Sequence, residues 1–175
     1  MNGHVPGTRN LRPPIQSGER RPLHSASGRT ELVGYAPGAY DLFHVGHLNL
    51  LRRVRLECDY VIAGVVSDQV ALEQKGRLPV VPQEERLAIV AALDVVDEAV
   101  MEWTTDKLAT WETVRFDVIY KGSDWAGSAK WTELEQQFAR RGVRVVYLPY
   151  TEHVSTTVLR GRLDPVPGDT PLTLG

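Results

Sequence analysis

The stretch Gly38-Ala39-Tyr40-Asp41-Leu42-Phe43-His44-Val45-Gly46-His47 lies between an apolar run, Glu31–Ala36, and a helical pattern, His47–Leu56, which carries Leu48, Leu51 and Leu56 among arginines. It reads as the loop of a strand–loop–helix unit. Gly38 lets the backbone turn with no side chain in the way. His44 and His47 are three apart at a helix start, so both imidazoles can face one side. Gly46 between them leaves room for a ligand to approach the backbone. A helix N-terminus presents free N–H groups and the positive end of the dipole. Two imidazole donors placed there make a seat for a phosphate, above all one that gains charge in a transition state. Two other readings stay open. Either histidine could be a hydrogen-bonded packing residue. Asp41, His44 and His47 could also ligate a metal, although metal-binding helices more often space their histidines i, i+4. The position directly after a first strand favours the phosphate.

Outward from this loop, short apolar runs alternate with helical patterns. Strands are expected at Glu31–Ala36, Tyr60–Val66, Ala99–Glu102, Val118–Lys121 and Val143–Leu148. Helices are expected at His47–Leu56, Gln83–Leu93, Lys107–Val114, Trp131–Arg141 and Ser155–Leu163, with a short helical piece from Ser67-Asp68. Pro82 suits the first turn of the second of these, and Gly142 stops the fourth. Such alternation means βαβ crossovers. The near-continuous apolar run Val61, Ile62, Val65, Val66 is that of a strand covered on both faces. The expected fold is α/β, a single domain built on a Rossmann-like, doubly wound parallel sheet of five strands. Such sheets bind ligands beyond the carboxyl ends of their strands. That directs attention to the loops 37–46, 67–82, 103–106, 122–129 and 149–155.

A length of 175 residues fits one domain. Apolar residues are 42% and charged residues 24%, an ordinary globular balance that supports a packed core. The longest apolar run, Val61–Val66, is far short of the ~20 residues of a membrane span. The lone Cys58 excludes an internal disulfide and a cysteine-based zinc cage, and fits a reducing, cytoplasmic setting. Residues 1–30 hold five arginines and one acid, Glu19, and residues 164–175 hold two acids, so the net charge of −2 leaves the 31–163 core acidic. An acidic core is a poor partner for nucleic acid. Seven of the eleven prolines fall in the two ends, and residues 1–30 contain six apolar side chains. Both 1–30 and 164–175 are therefore expected to be disordered extensions of a 31–163 domain. The first is Arg-rich and acid-poor like a transit peptide, but its prolines and glycines oppose the helix such a peptide needs.

The other loops carry further candidates. Lys75-Gly76-Arg77 places a flexible glycine between two cations, as a loop closing on phosphates would, or as a solvated turn would. Arg86 could pair with its helix neighbours Gln83, Glu84 and Glu85, or reach a phosphate. In Tyr120-Lys121-Gly122-Ser123-Asp124-Trp125, Gly122 permits a tight turn, and Asp124 can accept from a sugar hydroxyl or a base amine. Ser155, Thr156 and Thr157 open the last helix, where they can cap it or bind an anion.

His44-Val45-Gly46-His47 resembles the HxGH signature of the nucleotidyltransferase superfamily. With Gly38–Asp41 and Leu50-Leu51, it is similar to the cytidylyltransferases that make CDP-glycerol and CDP-ethanolamine. The order and spacing of the other loops agree over essentially all of 31–163. The resemblance implies transfer of a nucleotidyl group from CTP (or ATP) to a phosphorylated small-molecule acceptor such as glycerol 3-phosphate, with release of pyrophosphate. It makes His44, His47 and Lys75 the catalytic candidates. It implies nucleotide or phosphate contact for Gly38, Ala39, Tyr40, Asp41, Gly46, Arg77, Arg86, Gly122, Asp124, Ser155, Thr156 and Thr157. No residue is expected to ligate a metal of its own; Mg²⁺ would arrive with the nucleotide. The resemblance also implies a homodimer. Arg77-Leu78-Pro79-Val80 with Glu85-Arg86 is similar to adenylyltransferases of heptose-phosphate metabolism, which keeps open an adenylyltransferase acting on a sugar phosphate or FMN. A nucleotide-binding regulator without turnover is the alternative of another class, and the intact histidine pair argues against it. Where the family has Lys, Asp, Arg and Gly, this sequence has Arg77, Ser123, Tyr150 and His153, within Tyr150-Thr151-Glu152-His153-Val154-Ser155-Thr156-Thr157.

Overall fold

The computed structural model describes residues 31–149 and 155–163. Its strands are β1 (Val33–Gly38), β2 (Tyr60–Val66), β3 (Glu98–Glu102), β4 (Val118–Gly122) and β5 (Arg144–Leu148). The helices are α1 (Val45–Glu57), α2 (Asp68–Lys75), α3 (Gln83–Ala91), α4 (Lys107–Val114), α5 (Ala129–Ala139) and α6 (Thr156–Leu163). The strands form one parallel sheet in the order β3-β2-β1-β4-β5. The order reverses direction between β1 and β4, which makes that junction the topological switch point.

Alternation along β1 divides the core in two. Ala36 packs with Leu51 and Val54 of α1 and Val90 of α3 on one face. Val33 and Tyr35 pack with Phe116, Trp131 and Phe138 on the other. Helices therefore cover both faces, as the apolar β2 run predicts. Close packing at the centre depends on Gly64 of β2, where a Cβ would lie 2.1 Å from the Tyr35 hydroxyl.

β1 starts two residues later than the expected strand and continues past Pro37. Before it, the Leu32 N–H is drawn off to the Asp59 carboxylate, 2.9 Å away. Beyond Tyr35, β1 remains paired with β2, but its register with β4 covers only Gly34 and Tyr35. On the β4 side Pro37 thus has no ladder bond to lose, and the two central strands part there to open a crevice.

The two ends expected to be disordered, 1–30 and 164–175, lie outside the described residues, as do Tyr150, Thr151, Glu152, His153 and Val154.

Candidate active site

The loop after β1 is held in an uncommon backbone shape. Tyr40 and Leu42 have φ of 52° and 48°, a left-handed conformation that non-glycine residues adopt rarely and mostly where the surroundings impose it. Here the Tyr40 ring is buried and its hydroxyl donates to the Ala36 carbonyl at 2.8 Å. Gly38 is not itself in that region. Its missing Cβ makes room for the Tyr40 ring, which would lie 3.2 Å from it. The expected turn is therefore made two residues later than Gly38.

The two histidines cap the same helix reciprocally. His44 is the N-cap of α1, and its Nδ1 accepts from the Gly46 N–H at 3.1 Å. His47 Nδ1 accepts in turn from the His44 N–H at 3.4 Å. The rings stack with centroids 3.9 Å apart. A neutral imidazole whose Nδ1 accepts carries its proton on Nε2. Burial pulls His47 down to about 3, helped by the charges of His44 and Lys75 and opposed by that of Asp41. Burial lowers His44 as well. Both rings are thus neutral Nε2–H donors at physiological pH, with their tautomers set by the helix they cap.

Around them lies a crevice of about 210 Å³ at the switch point, lined by Gly38, Ala39, Asp41, His47, Lys75, Arg77, Lys121, Gly122, Thr156, Thr157 and Arg160 among others. An adjoining cavity is lined by His44, Gly46, His47, Lys75, Gly122, Ser155, Thr156 and Thr157. Lys75 is the last residue of α2, and Gly76 follows in the left-handed conformation at φ 67°. Three of the candidates stand apart from both linings. Tyr40 is turned into the core, and Asp124 acts on Lys121 only through its charge.

Arg86 is neither the surface partner of Gln83, Glu84 or Glu85 nor part of the crevice lining. It is buried, and its guanidinium donates to the carbonyls of Val81 at 2.9 Å, Val66 at 2.8 Å and Ala39, and to the Asp68 carboxylate at 2.6 Å. It clamps the ends of β1 and β2 to the loop before α3.

Asp41 has a similar role. One oxygen accepts from the Val80 and Val81 N–H groups at 2.9 and 3.0 Å, and the other from Arg160 at 2.6 Å. Burial would raise this carboxyl, but the Val81 N–H, Arg160 and the Val80 N–H outweigh it and hold it below the usual range. The Asp41 carbonyl accepts from the Thr156 hydroxyl at 3.0 Å, and Arg160 also donates to the Leu78 carbonyl at 2.9 Å. Both carboxylate oxygens and both Nδ1 atoms are therefore engaged by protein donors, which does not suit a metal held by Asp41, His44 and His47. Among the described residues no three His, Cys, Asp or Glu side chains cluster as a metal site requires.

Sequence reasoning missed Arg160 and Lys121. Arg160 stands four residues after Thr156, on the same face of α6. Lys121 is the penultimate residue of β4, at the strand end where the topology places ligands. Burial pulls its ammonium down to about 8, Lys75 and Lys130 push the same way, and Asp124 opposes them.

A parallel sheet that opens at its switch point onto paired imidazole donors, a helix start and several cations defines an enzyme of the nucleotidyl-transferring class. Residues 35–162 match the cytidylyltransferase-like family model, and the chain belongs to that family. The chain is 32% identical over 124 residues to glycerol-3-phosphate cytidylyltransferase of Bacillus spizizenii, covering 70% of this chain and 90% of that one. It is 37% identical over 130 residues to the bifunctional protein HldE of Koribacter versatilis, with 74% of this chain and 26% of that one covered. A third relative is ethanolamine-phosphate cytidylyltransferase of Arabidopsis thaliana, 34% identical over 136 residues, with coverages of 74% and 31%. The chain thus spans about a quarter to a third of these two longer relatives. Among solved structures, the lipopolysaccharide core biosynthesis protein of Thermoplasma volcanium superposes with a TM-score of 0.60 at 26% identity, over 71% of this chain and 99% of that one. Among the described residues no helix is long and apolar enough to cross a membrane.

Proposed function

We propose that the enzyme transfers CMP from CTP to a phosphorylated small alcohol such as glycerol 3-phosphate and releases pyrophosphate. The observation that carries this is the reciprocal capping of α1, which leaves two neutral Nε2–H donors at the mouth of the crevice. In-line attack by an acceptor phosphate oxygen on the α-phosphorus needs positioning and charge stabilisation more than covalent help. Donors fixed before the reaction stabilise charge on the pentacovalent phosphorus without reorganising, and one such donor is typically worth ~10²–10³ in rate. Lys75, Arg77 and the Ser155–Thr157 helix start hold the remaining phosphates. Asp41, Arg86 and Arg160 keep these segments in register. Mg²⁺ belongs to the bound nucleotide and supplies neutralisation of its phosphate oxygens. A homodimer working in the cytoplasm completes the reading.

The similarity of Arg77-Leu78-Pro79-Val80 with Glu85-Arg86 to adenylyltransferases keeps ATP as the rival nucleotide. Pyrophosphate release measured with CTP and with ATP, against a panel of phosphorylated alcohols and sugar phosphates, decides between them. The expected result is release with CTP and a phosphorylated alcohol. Release with ATP alone overturns the choice of nucleotide, and release with neither nucleotide overturns the activity.

A further inference from the structure

Beside the crevice, and sharing Lys121 and Trp125 with it, lies a second cavity of about 270 Å³ between β4, the start of α5 and the loop that precedes α4. Lys107, Lys121 and Lys130 line it, with Trp125 and Trp131. These three cations are differently placed. Lys107 is buried and paired with the buried Glu102, whose other oxygen accepts from the Tyr35 hydroxyl at 2.6 Å. Lys121 has no carboxylate within ion-pair distance among the described residues; its ammonium stands 4.9 Å from the centre of the Trp125 ring and 5.6 Å from that of Trp131. Lys130 is exposed, in the first turn of α5, where no acid accompanies it. A cation at a helix N-terminus faces the positive end of the dipole and is disfavoured there.

The protein therefore gathers positive charge against its own repulsion. Burial pulls the Lys107 ammonium down to about 7, with Lys121 and Lys130 pushing the same way; burial also lowers Lys121, with Asp124 opposing and Lys75 and Lys130 adding to it. Such an arrangement makes sense when an anion completes it. The phosphates of the nucleotide are met on the other side of the crevice, by the histidine pair, Lys75, Arg77 and the start of α6. Lys121 stands on the shared wall and lines both cavities. Lys130 and the far end of the cavity are then left over for a further group.

On the nucleotidyl-transfer reading above, we propose that this cavity receives a second anionic group of the acceptor, a carboxylate or a second phosphate, while the carbon skeleton packs against the half-buried Trp125. The acceptor is thus a phosphorylated small molecule with an acidic distal end. A cationic end such as an amine is repelled.

The test is calorimetric titration of the full chain, loaded with a CTP or ATP analogue whose α–β bridge cannot be cleaved. The probes are glycerol 3-phosphate, 3-phosphoglycerate and phosphoethanolamine. The first two share a skeleton and differ in a hydroxymethyl against a carboxylate, and a fourth probe, glycerol 1,3-bisphosphate, carries a phosphate on that same carbon. One added charge at contact distance should make 3-phosphoglycerate or the bisphosphate bind at least about fivefold more tightly than glycerol 3-phosphate, with phosphoethanolamine weakest. Which of the two binds better identifies the distal anion. Lys130→Gln should bring the ratio to within about twofold of unity, as should Lys121→Gln. A smaller ratio in the wild type, a ratio both variants leave intact, or no binding of any probe at millimolar concentration overturns the proposal. Pyrophosphate release is read separately. The expected ratio without release from either nucleotide removes the activity and keeps the cavity. Release from glycerol 3-phosphate with no preference for an acidic end removes only the cavity.

Discussion

The two walls of the crevice are built on opposite terms. On the β1 wall almost every polar group is already engaged. Asp41 accepts from two backbone N–H groups and Arg160, Arg86 behind the lining binds three carbonyls and Asp68, and the two histidines cap the start of α1 reciprocally. On the β4 wall, Lys121 stands against two indole rings without an ion-pair partner among the described residues. The first wall offers fixed dipoles and the second offers a cation that no carboxylate among the described residues pairs at close range. Fixed dipoles suit charge that appears only in the transition state. A waiting cation gives its energy to whatever anion arrives, in the ground state as much as later, and so selects the ligand.

If the contrast holds, substitutions on the two walls must differ in kind. The largest effect belongs to Arg86→Met. It strands three carbonyls and takes the guanidinium from Asp68, which solvent screens in part; each acceptor left buried and unsatisfied costs about 1–3 kcal/mol. Chemical denaturation should show that loss; a variant within about 1 kcal/mol of wild type would dissolve the idea of a braced wall.

His44→Ala and His47→Ala should each lower kcat at least ~100-fold while circular dichroism stays native. His47 also leaves a mark on stability. Its folded value is near 3, against about 6.5 in the unfolded chain. Between those values the unfolded state binds a proton that the folded state refuses. Stability is therefore fully present above the unfolded value and falls as pH drops through this window, by up to about 1.4 kcal/mol per pH unit. His47→Ala should flatten that slope, and an unchanged slope would mean the ring is not held neutral.

The smallest effect, and of opposite sign, is expected for Lys121→Met. Removing a half-buried cation that lacks an ion-pair partner should leave stability unchanged or raise it by less than about 1 kcal/mol. A substantial loss of stability on denaturation would show that Lys121 braces its wall after all.

What could be read from the sequence follows from how local each signal is. β2 and α4 are seen at their expected limits because an apolar run and a helical period are written within the segment itself. β1 was displaced because its limits depend on Asp59 and on where β4 diverges, neither of which is local. The histidine pair was legible from its spacing at a helix start. Its tautomers were not, because they depend on which nitrogen meets a backbone N–H. Arg86 could not be placed, since a helical arginine among glutamates reads as surface until the ends of β1 and β2 are brought over it. The pairing of Asp41 with Arg160 spans 119 residues, which no local pattern encodes.

Because His44 and His47 each complete the other's backbone contact, neither is an independent unit of inheritance. Replacing one releases the N–H that it capped and loosens the partner ring it stacks on, so the second replacement has little left to remove. The losses are strongly non-additive, and a descendant of this protein that changes its chemistry has reason to exchange the two histidines together.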